Sequence, residues 1–207
     1  MTRIVLIRHG QTAWNREARF RGRADIALEA FGLKQAGVTG QYVASRWPVV
    51  AVYASPMQRV MQTAEAIAHA QGLTAQPLDG LMDIDFGEWQ GCLVEEAAQR
   101  DPDLYRAWLE APHTVIFPGG EGLDDVRKQA LATLDEVVAR HPGQTVALVS
   151  HTVVNRVLLC AVLGLSNAHF WRLEQDTCAV NVFDVAEDGT YIIGLLNDTS
   201  HLQGLSA

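Results

Sequence analysis

The stretch RIVLIRHGQTAWN, residues 3–15, decides how the rest of the chain is read. Arg3 to Ile7 is a short β-branched run without polar alternation, the pattern of a strand buried on both faces of a parallel sheet. It breaks into Arg8, His9 and Gly10 rather than into ordinary turn residues. Two later apolar runs end in a similar way. Val49 to Ala54 (VVAVYA) leads into Ser55-Pro56-Met57-Gln58-Arg59, and Thr145 to Val149 (TVALV) leads into Ser150-His151-Thr152.

Helical patterns separate these strands. Gly32 to Arg46 carries an imperfect apolar stripe. Met57 to Gln71 places Val60, Met61, Ala64, Ile67 and Ala68 on one face, and Gly72 follows as a C-terminal cap. Leu93 to Glu110 reads as two short helices broken at Asp101-Pro102, where proline opens the second. Leu123 to Arg140 is a long amphipathic helix, and Thr152 to Leu163 an apolar one ended by Gly164. Ala179 to Val185 and Tyr191 to Leu196 flank Asp188-Gly189, a hairpin signal. Residues 16–32 are polar and read as loop. Strands alternating with helices predict an α/β three-layer sandwich, a mainly parallel central sheet with helices on both faces. Without a linker or internal repeat, residues 1–207 read as a single domain, with 92–122 as a helical lid inserted over the sheet.

Composition narrows the partners. The 207 residues are 48% hydrophobic and carry a formal charge of −8, which argues against nucleic acid or an anionic membrane as partner. The N-terminal apolar run is too short for a signal peptide, and no stretch reaches the roughly 20 apolar residues of a membrane span. The three cysteines, Cys92, Cys160 and Cys178, form no paired motif. These features predict a cytoplasmic chain whose Cys160 is a buried small hydrophobe. An apolar edge in the last helix or strand is a candidate homodimer contact.

In open α/β sheets, ligands bind beyond the carboxyl ends of the strands. Placing the three polar junctions at one sheet edge gathers Arg8, Arg59, His9 and His151. Arginine forks suit phosphate, helix N-termini add free N–H groups, and a histidine kept neutral by neighbouring cations is a nucleophile toward phosphorus. The same arginines repel a divalent cation, so neither metal nor other cofactor is expected. His69, His141, His169 and His201 receive no chemistry, while His113 lies in the insertion.

At this point the chain resembles the histidine phosphatase superfamily, the phosphoglycerate-mutase-like family, over nearly its whole length. The resemblance rests on Arg8-His9-Gly10 with Thr12, Trp14 and Asn15, on SPMQRVMQTA (55–64), and on Ser150-His151-Thr152. It implies a phosphohistidine on His9, with Arg8, Arg59 and His151 holding the phosphoryl oxygens and Asn15 as a further contact. Gly22 matches a glycine whose backbone approaches the phosphate, and Arg21 stands where glutamine is common. Thr152 replaces the more common glycine beside the second histidine and is a candidate substrate contact. The family's acid is a glutamate; in LMDIDFGEWQG (81–91) the matching position is Asp83, with Asp85 and Glu88 as spare carboxylates. The compact chain resembles the phosphatase branch and, through residues 91–120 and SHTV, the metal-independent phosphoserine phosphatases. Phe86 stands where those enzymes tend to carry histidine. The implied activity is hydrolysis of a small phosphomonoester, possibly phosphoserine among the candidates. The alternatives are a broad-specificity or α-ribazole phosphatase, a cofactor-dependent phosphoglycerate mutase and, last, a non-catalytic phosphate-binding module.

Overall fold

In the computed structural model, which describes residues 1–206, one six-stranded sheet organises the chain. Its strands are β1 (Thr2–Arg8), β2 (Ala51–Ala54), β3 (Ala75–Pro77), β4 (Thr145–Ser150), β5 (Val180–Val185) and β6 (Tyr191–Asp198), in the spatial order β3-β2-β4-β1-β5-β6. The first four run parallel, and β5 and β6 close one side antiparallel. The helices are α1 (Ala13–Arg16), α2 (Ala30–Arg46), α3 (Gln58–His69), α4 (Val94–Arg100), α5 (Pro102–Glu110), α6 (Leu123–Arg140) and α7 (Thr152–Val162).

The unbroken apolar runs of β1, β2 and β4 have their cause in this layering. Ile4, Leu6, Tyr53, Val146 and Leu148 face the layer of α6 and α7, while Val5, Ile7, Val52, Ala147 and Val149 face α2 and α3. Both faces are dry, so period-two alternation has nothing polar to show. Burying a Val, Leu or Ile fully is worth about 1.5–3 kcal/mol, and each of these central strands contributes such side chains. Asp101 caps α5, its carboxylate accepting from the Leu104 N–H at 3.1 Å with Pro102 opening the helix. The break expected there is present. Cys160 is fully buried.

Residues 16–32, read as loop, are loop except at their ends, where they take in the last residue of a short helix, α1, and the first three of α2. Helix α1 forms because Asn15 Oδ1 accepts from both the Thr12 N–H (2.9 Å) and the Thr12 hydroxyl (2.8 Å), a reciprocal cap for a single turn. At the opposite end of the chain, β6 is an edge strand that leaves Ile192 and Leu196 half exposed. Among the described residues no helix is long and apolar enough to cross a membrane.

Packing of α2 on α3 depends on a missing side chain. A Cβ on Gly40 would stand 2.5 Å from the Ala66 carbonyl oxygen of α3, whereas one on Gly37, on the exposed side of α2, meets nothing within 4 Å. Alanine favours a helix over glycine by about 1 kcal/mol at either position. Gly37→Ala should therefore raise stability by about 0.5–1 kcal/mol, and Gly40→Ala should lower it by about 1–3 kcal/mol because backbone must move. Denaturant titration of the two variants checks the opposite signs.

Candidate active site

The strand register puts the three polar junctions together. Arg8 pairs with Ser150 across β1 and β4, and Ala54 pairs with Val149 across β2 and β4, so all three carboxyl ends lie at one edge. From β1 the chain passes to α2 on one face, and from β4 it passes to α7 on the other. Neighbouring strands whose helices diverge leave a crevice between them. His9 and His151 are the first residues beyond those strands, and their ring centroids lie 5.5 Å apart.

Each group is held by a specific bond. His9 Nδ1 lies 2.7 Å from the Gly10 carbonyl, an acceptor only, so Nδ1 carries the proton and the Nε2 lone pair is free. The Gly10 N–H donates to Thr63 Oγ1 at 3.1 Å, which ties this turn to α3. Arg8 is buried, with Nη1 donating to the Gln175 carbonyl at 2.6 Å. Arg59 is fully buried and donates to the carbonyls of Ala24 (2.7 Å) and Gly22 (2.8 Å). Its Nη2 also lies 3.1 Å from His151 Nδ1 and 3.3 Å from Asp83 Oδ2. An arginine only donates, so His151 Nδ1 accepts and its Nε2–H donates to Ser55 Oγ at 2.9 Å.

Asp83 is the carboxyl that reaches this set. It is 5% exposed, and its Oδ2 lies 3.4 Å from His151 Nδ1. Its stem is one methylene shorter than glutamate, and the loop lies close enough to make up the difference. The spare carboxylates face elsewhere. Asp85 accepts from the Gly87 N–H at 2.8 Å and Glu88 is exposed. Glu121, just beyond the insertion, binds Arg23 at 2.8 Å and the Asp85 N–H at 3.0 Å, which fixes the acid loop from outside.

The remaining expected residues divide. Arg21 is partly buried, with one long bond at 3.4 Å to the Trp14 carbonyl, and its charge acts on His9, Arg59 and Asp83. Thr152 has a buried hydroxyl without a partner. Gly22 has a φ of +47°, and a Cβ there would meet the Ile84 carbonyl and Phe86 at 3.0 Å. Its carbonyl accepts from Arg59, so it shapes the pocket by holding a guanidinium. Asn15 commits its oxygen to Thr12, leaving only its NH₂ for a ligand. Sequence reasoning missed Gln175, Ser55, Thr63 and Arg23 as supports. Ser55 and Thr63 lie inside the quoted motif, whereas nothing in the sequence marks Gln175 or Arg23.

Beside the histidines opens a cavity of about 270 Å³ lined by Arg21, Asp83, Phe86, Thr152, Arg156 and the lid residues Tyr105, Trp108 and Leu109, among others. Phe86 packs edge-on against Phe20 and Phe117, with centroids 5.0 and 4.9 Å apart. Trp108 is buried against Phe170 and Trp171, and the Trp171 indole N–H donates to the Trp108 carbonyl at 2.7 Å. Helix α5 is thereby bonded to the segment around Phe170. Among the described residues no three His, Cys, Asp or Glu side chains group as metal ligands.

Burial first, and then the charges of Arg59 and other nearby cations, hold both His9 and His151 well below the ordinary histidine value. Burial also raises the Asp83 carboxyl, against the pull of Arg59 and Arg21. The site therefore combines two neutral imidazoles, three guanidiniums and one carboxyl biased toward its protonated form. That combination suits an entering phosphate dianion and a departing alkoxide.

Comparison with known proteins agrees. The family model described as "Histidine phosphatase superfamily (branch 1)" matches residues 4–199. Phosphoserine phosphatase 1 of Hydrogenobacter thermophilus is 39% identical over 202 residues, which cover 98% of this chain and 95% of that protein. The metal-independent phosphoserine phosphatase of Arabidopsis thaliana is 30% identical over 207 residues, 99% of this chain and 85% of the relative. Among solved structures, Bacillus stearothermophilus YhfR superposes with a TM-score of 0.92 at 30% identity, covering 98% of this chain and all of that one.

The charge pattern has a measurable sign. The unfolded chain's histidines titrate near about 6.5, and His9 and His151 titrate lower in the fold. As pH falls through the unfolded value, the unfolded state takes up protons that these two residues refuse, so their contribution to stability is present above it and is lost on acidification. Imidazole NMR should show both rings still neutral at pH 6. A ring that gains its proton near the unfolded value would contradict the buried cation cradle.

Proposed function

This chain belongs to branch 1 of the histidine phosphatase superfamily, and we propose that it hydrolyses phosphoserine through a phosphohistidine on His9. The protein is a phosphomonoester hydrolase; serine phosphate as its substrate, and the role of each residue, are our reading. The observation that carries the reading is the free Nε2 of a neutral His9 held among the charges of Arg59, Arg8 and Arg21. The relatives named for phosphoserine support the substrate. The apolar cavity is small enough for a three-carbon leaving group.

The steps follow from the geometry. Arg8, Arg21 and Arg59 take the phosphoryl oxygens, and the Asn15 NH₂ adds a donor. His9 Nε2 attacks phosphorus while the ester P–O bond breaks, and the leaving oxygen takes the Asp83 proton. Water then attacks the phosphohistidine, returns a proton to the Asp83 carboxylate, and releases inorganic phosphate and neutral His9. His151, neutral and bonded through Nδ1 to Arg59 and through Nε2 to Ser55, positions that guanidinium beside the phosphoryl group. Charge on the transferring phosphoryl is met by fixed donors throughout, so no metal is required.

His9→Ala should abolish turnover and phosphoenzyme formation, and wild-type-like activity in that variant would sink the mechanism. Asp83→Asn should slow alkyl phosphates by about 10²-fold or more, and aryl phosphates with good leaving groups far less. Equal losses on both would remove Asp83 as the acid. A chelator should leave the wild-type rate on phosphoserine within about twofold, a change too small for a lost Lewis acid, which is worth several kcal/mol.

A further inference from the structure

The cavity beside His9 contains a cation that the phosphoryl site does not account for. Three arginines line it: Arg19, Arg21 and Arg156. Arg19 is engaged, with Nε on Glu17 at 2.6 Å and Nη1 on the Gly91 carbonyl at 2.8 Å. Arg21 belongs with Arg8 and Arg59, since its charge acts on His9, His151 and Asp83. Arg156 makes no hydrogen bond and no ion pair within 4 Å among the described residues, and its Nε is buried without a partner. It is nevertheless fixed in place. Its guanidinium carbon lies 4.9 Å from the Trp171 ring centre and 5.2 Å from that of Phe170.

A side chain arranged this way is oriented by its faces and left open along its donor edge. Cation–π stacking uses the flat faces of guanidinium and none of its N–H groups. Thr152, four residues earlier on α7 and so on the same helical side, adds a second unpartnered group, its buried hydroxyl. Buried donors without partners are costly, and in native proteins they point to something that completes them. Both groups lie on the wall of the cavity that also contains Asp83, on the side where the leaving group would emerge.

We propose that Arg156, assisted by Thr152, is the specificity-determining residue for the leaving group, and that it binds a carboxylate there. The inference rests on the hydrolase reading above and deepens it: the substrate class is the phosphate ester of a small hydroxy acid, held by its phosphate in one cradle and by its carboxylate in another. A carboxylate fits better than a second phosphate. One planar fork matches a monoanion in charge and geometry, and the cavity's other two cations are committed elsewhere, Arg19 to Glu17 and the Gly91 carbonyl and Arg21 to the phosphoryl side. Phe86 closes the opposite side with an apolar ring.

Phosphoserine and phosphoethanolamine differ only in that carboxylate, so their ratio of kcat/KM on one preparation reads the contact and cancels any loss of folded protein. The wild type should prefer phosphoserine by about 10- to 100-fold, the size of a charge-assisted hydrogen bond. Arg156→Gln should bring the ratio to within about threefold of unity, chiefly by raising KM for phosphoserine, because a contact made equally in ground and transition states appears there. Arg156→Lys, which keeps charge but loses the fork, should restore part of the preference. A preference that survives Arg156→Gln, or a wild type that does not discriminate, overturns the assignment and leaves the hydrolase reading standing. Absence of His9-dependent turnover of either ester overturns that reading and the Arg156 assignment with it.

Discussion

Arg59 is a fully buried cation, and much of the site is arranged to make that possible. Taking a guanidinium out of water is costly unless its donors are met. Two of its partners are carbonyls from the loop at Gly22 and Ala24, one is His151, and the last is Asp83. This single side chain therefore draws the loop after α1, the turn after β4 and the acid loop to the start of α3. The positive φ of Gly22 and the neutral state of His151 are both consequences. An imidazole nitrogen that accepts a hydrogen bond from arginine cannot also carry a proton.

Because the partners of Arg59 are mostly neutral, the pocket keeps its positive charge while the whole chain carries −8. Asp83 is the acidic group in contact with Arg59, with Asp25 and Asp176 acting on the arginines from farther off, and burial biases Asp83 toward its neutral form. Burial and the nearby cations keep both histidines neutral, so each ring has one nitrogen free to accept or attack. A phosphate dianion entering such a pocket meets charge that is already in place, so little reorganisation accompanies the reaction.

Much of this was readable before any coordinates. Buried parallel strands announce themselves as unbroken apolar runs, and the residues that interrupt those runs are the site: Arg8 and His9, Arg59 on the first turn of α3, His151. The Asp101-Pro102 break and the Asp188-Gly189 hairpin were equally legible because capping and turn chemistry are local. What stayed hidden depends on contacts distant in sequence. Gln175 holds Arg8 through its carbonyl, a group every residue possesses. Arg23 and Glu121 are 98 positions apart, and neither looks different from a solvated charge. The Thr12–Asn15 pair is visible as residue types, but only the structure shows that the Asn15 amide oxygen caps a helix and leaves the NH₂ as its donor.

The leaving-group side follows a different logic from the phosphoryl side. In the proposed mechanism, donors converge on the phosphorus from α3, from the strand ends and from the loop after α1, and none of them reads the alcohol part of an ester. Selectivity must then come from the aromatic cavity that α4, α5 and the segment around Phe170 build over α7. Inorganic phosphate occupies only the first half, so an occupant of the second half distinguishes substrate from product. Apolar walls strengthen a charged contact made among them, because water cannot compete for it. Phe86, Trp108 and Phe170 thus serve the same end as the arginine they surround: they turn a pocket that accepts phosphate into one that can tell esters apart.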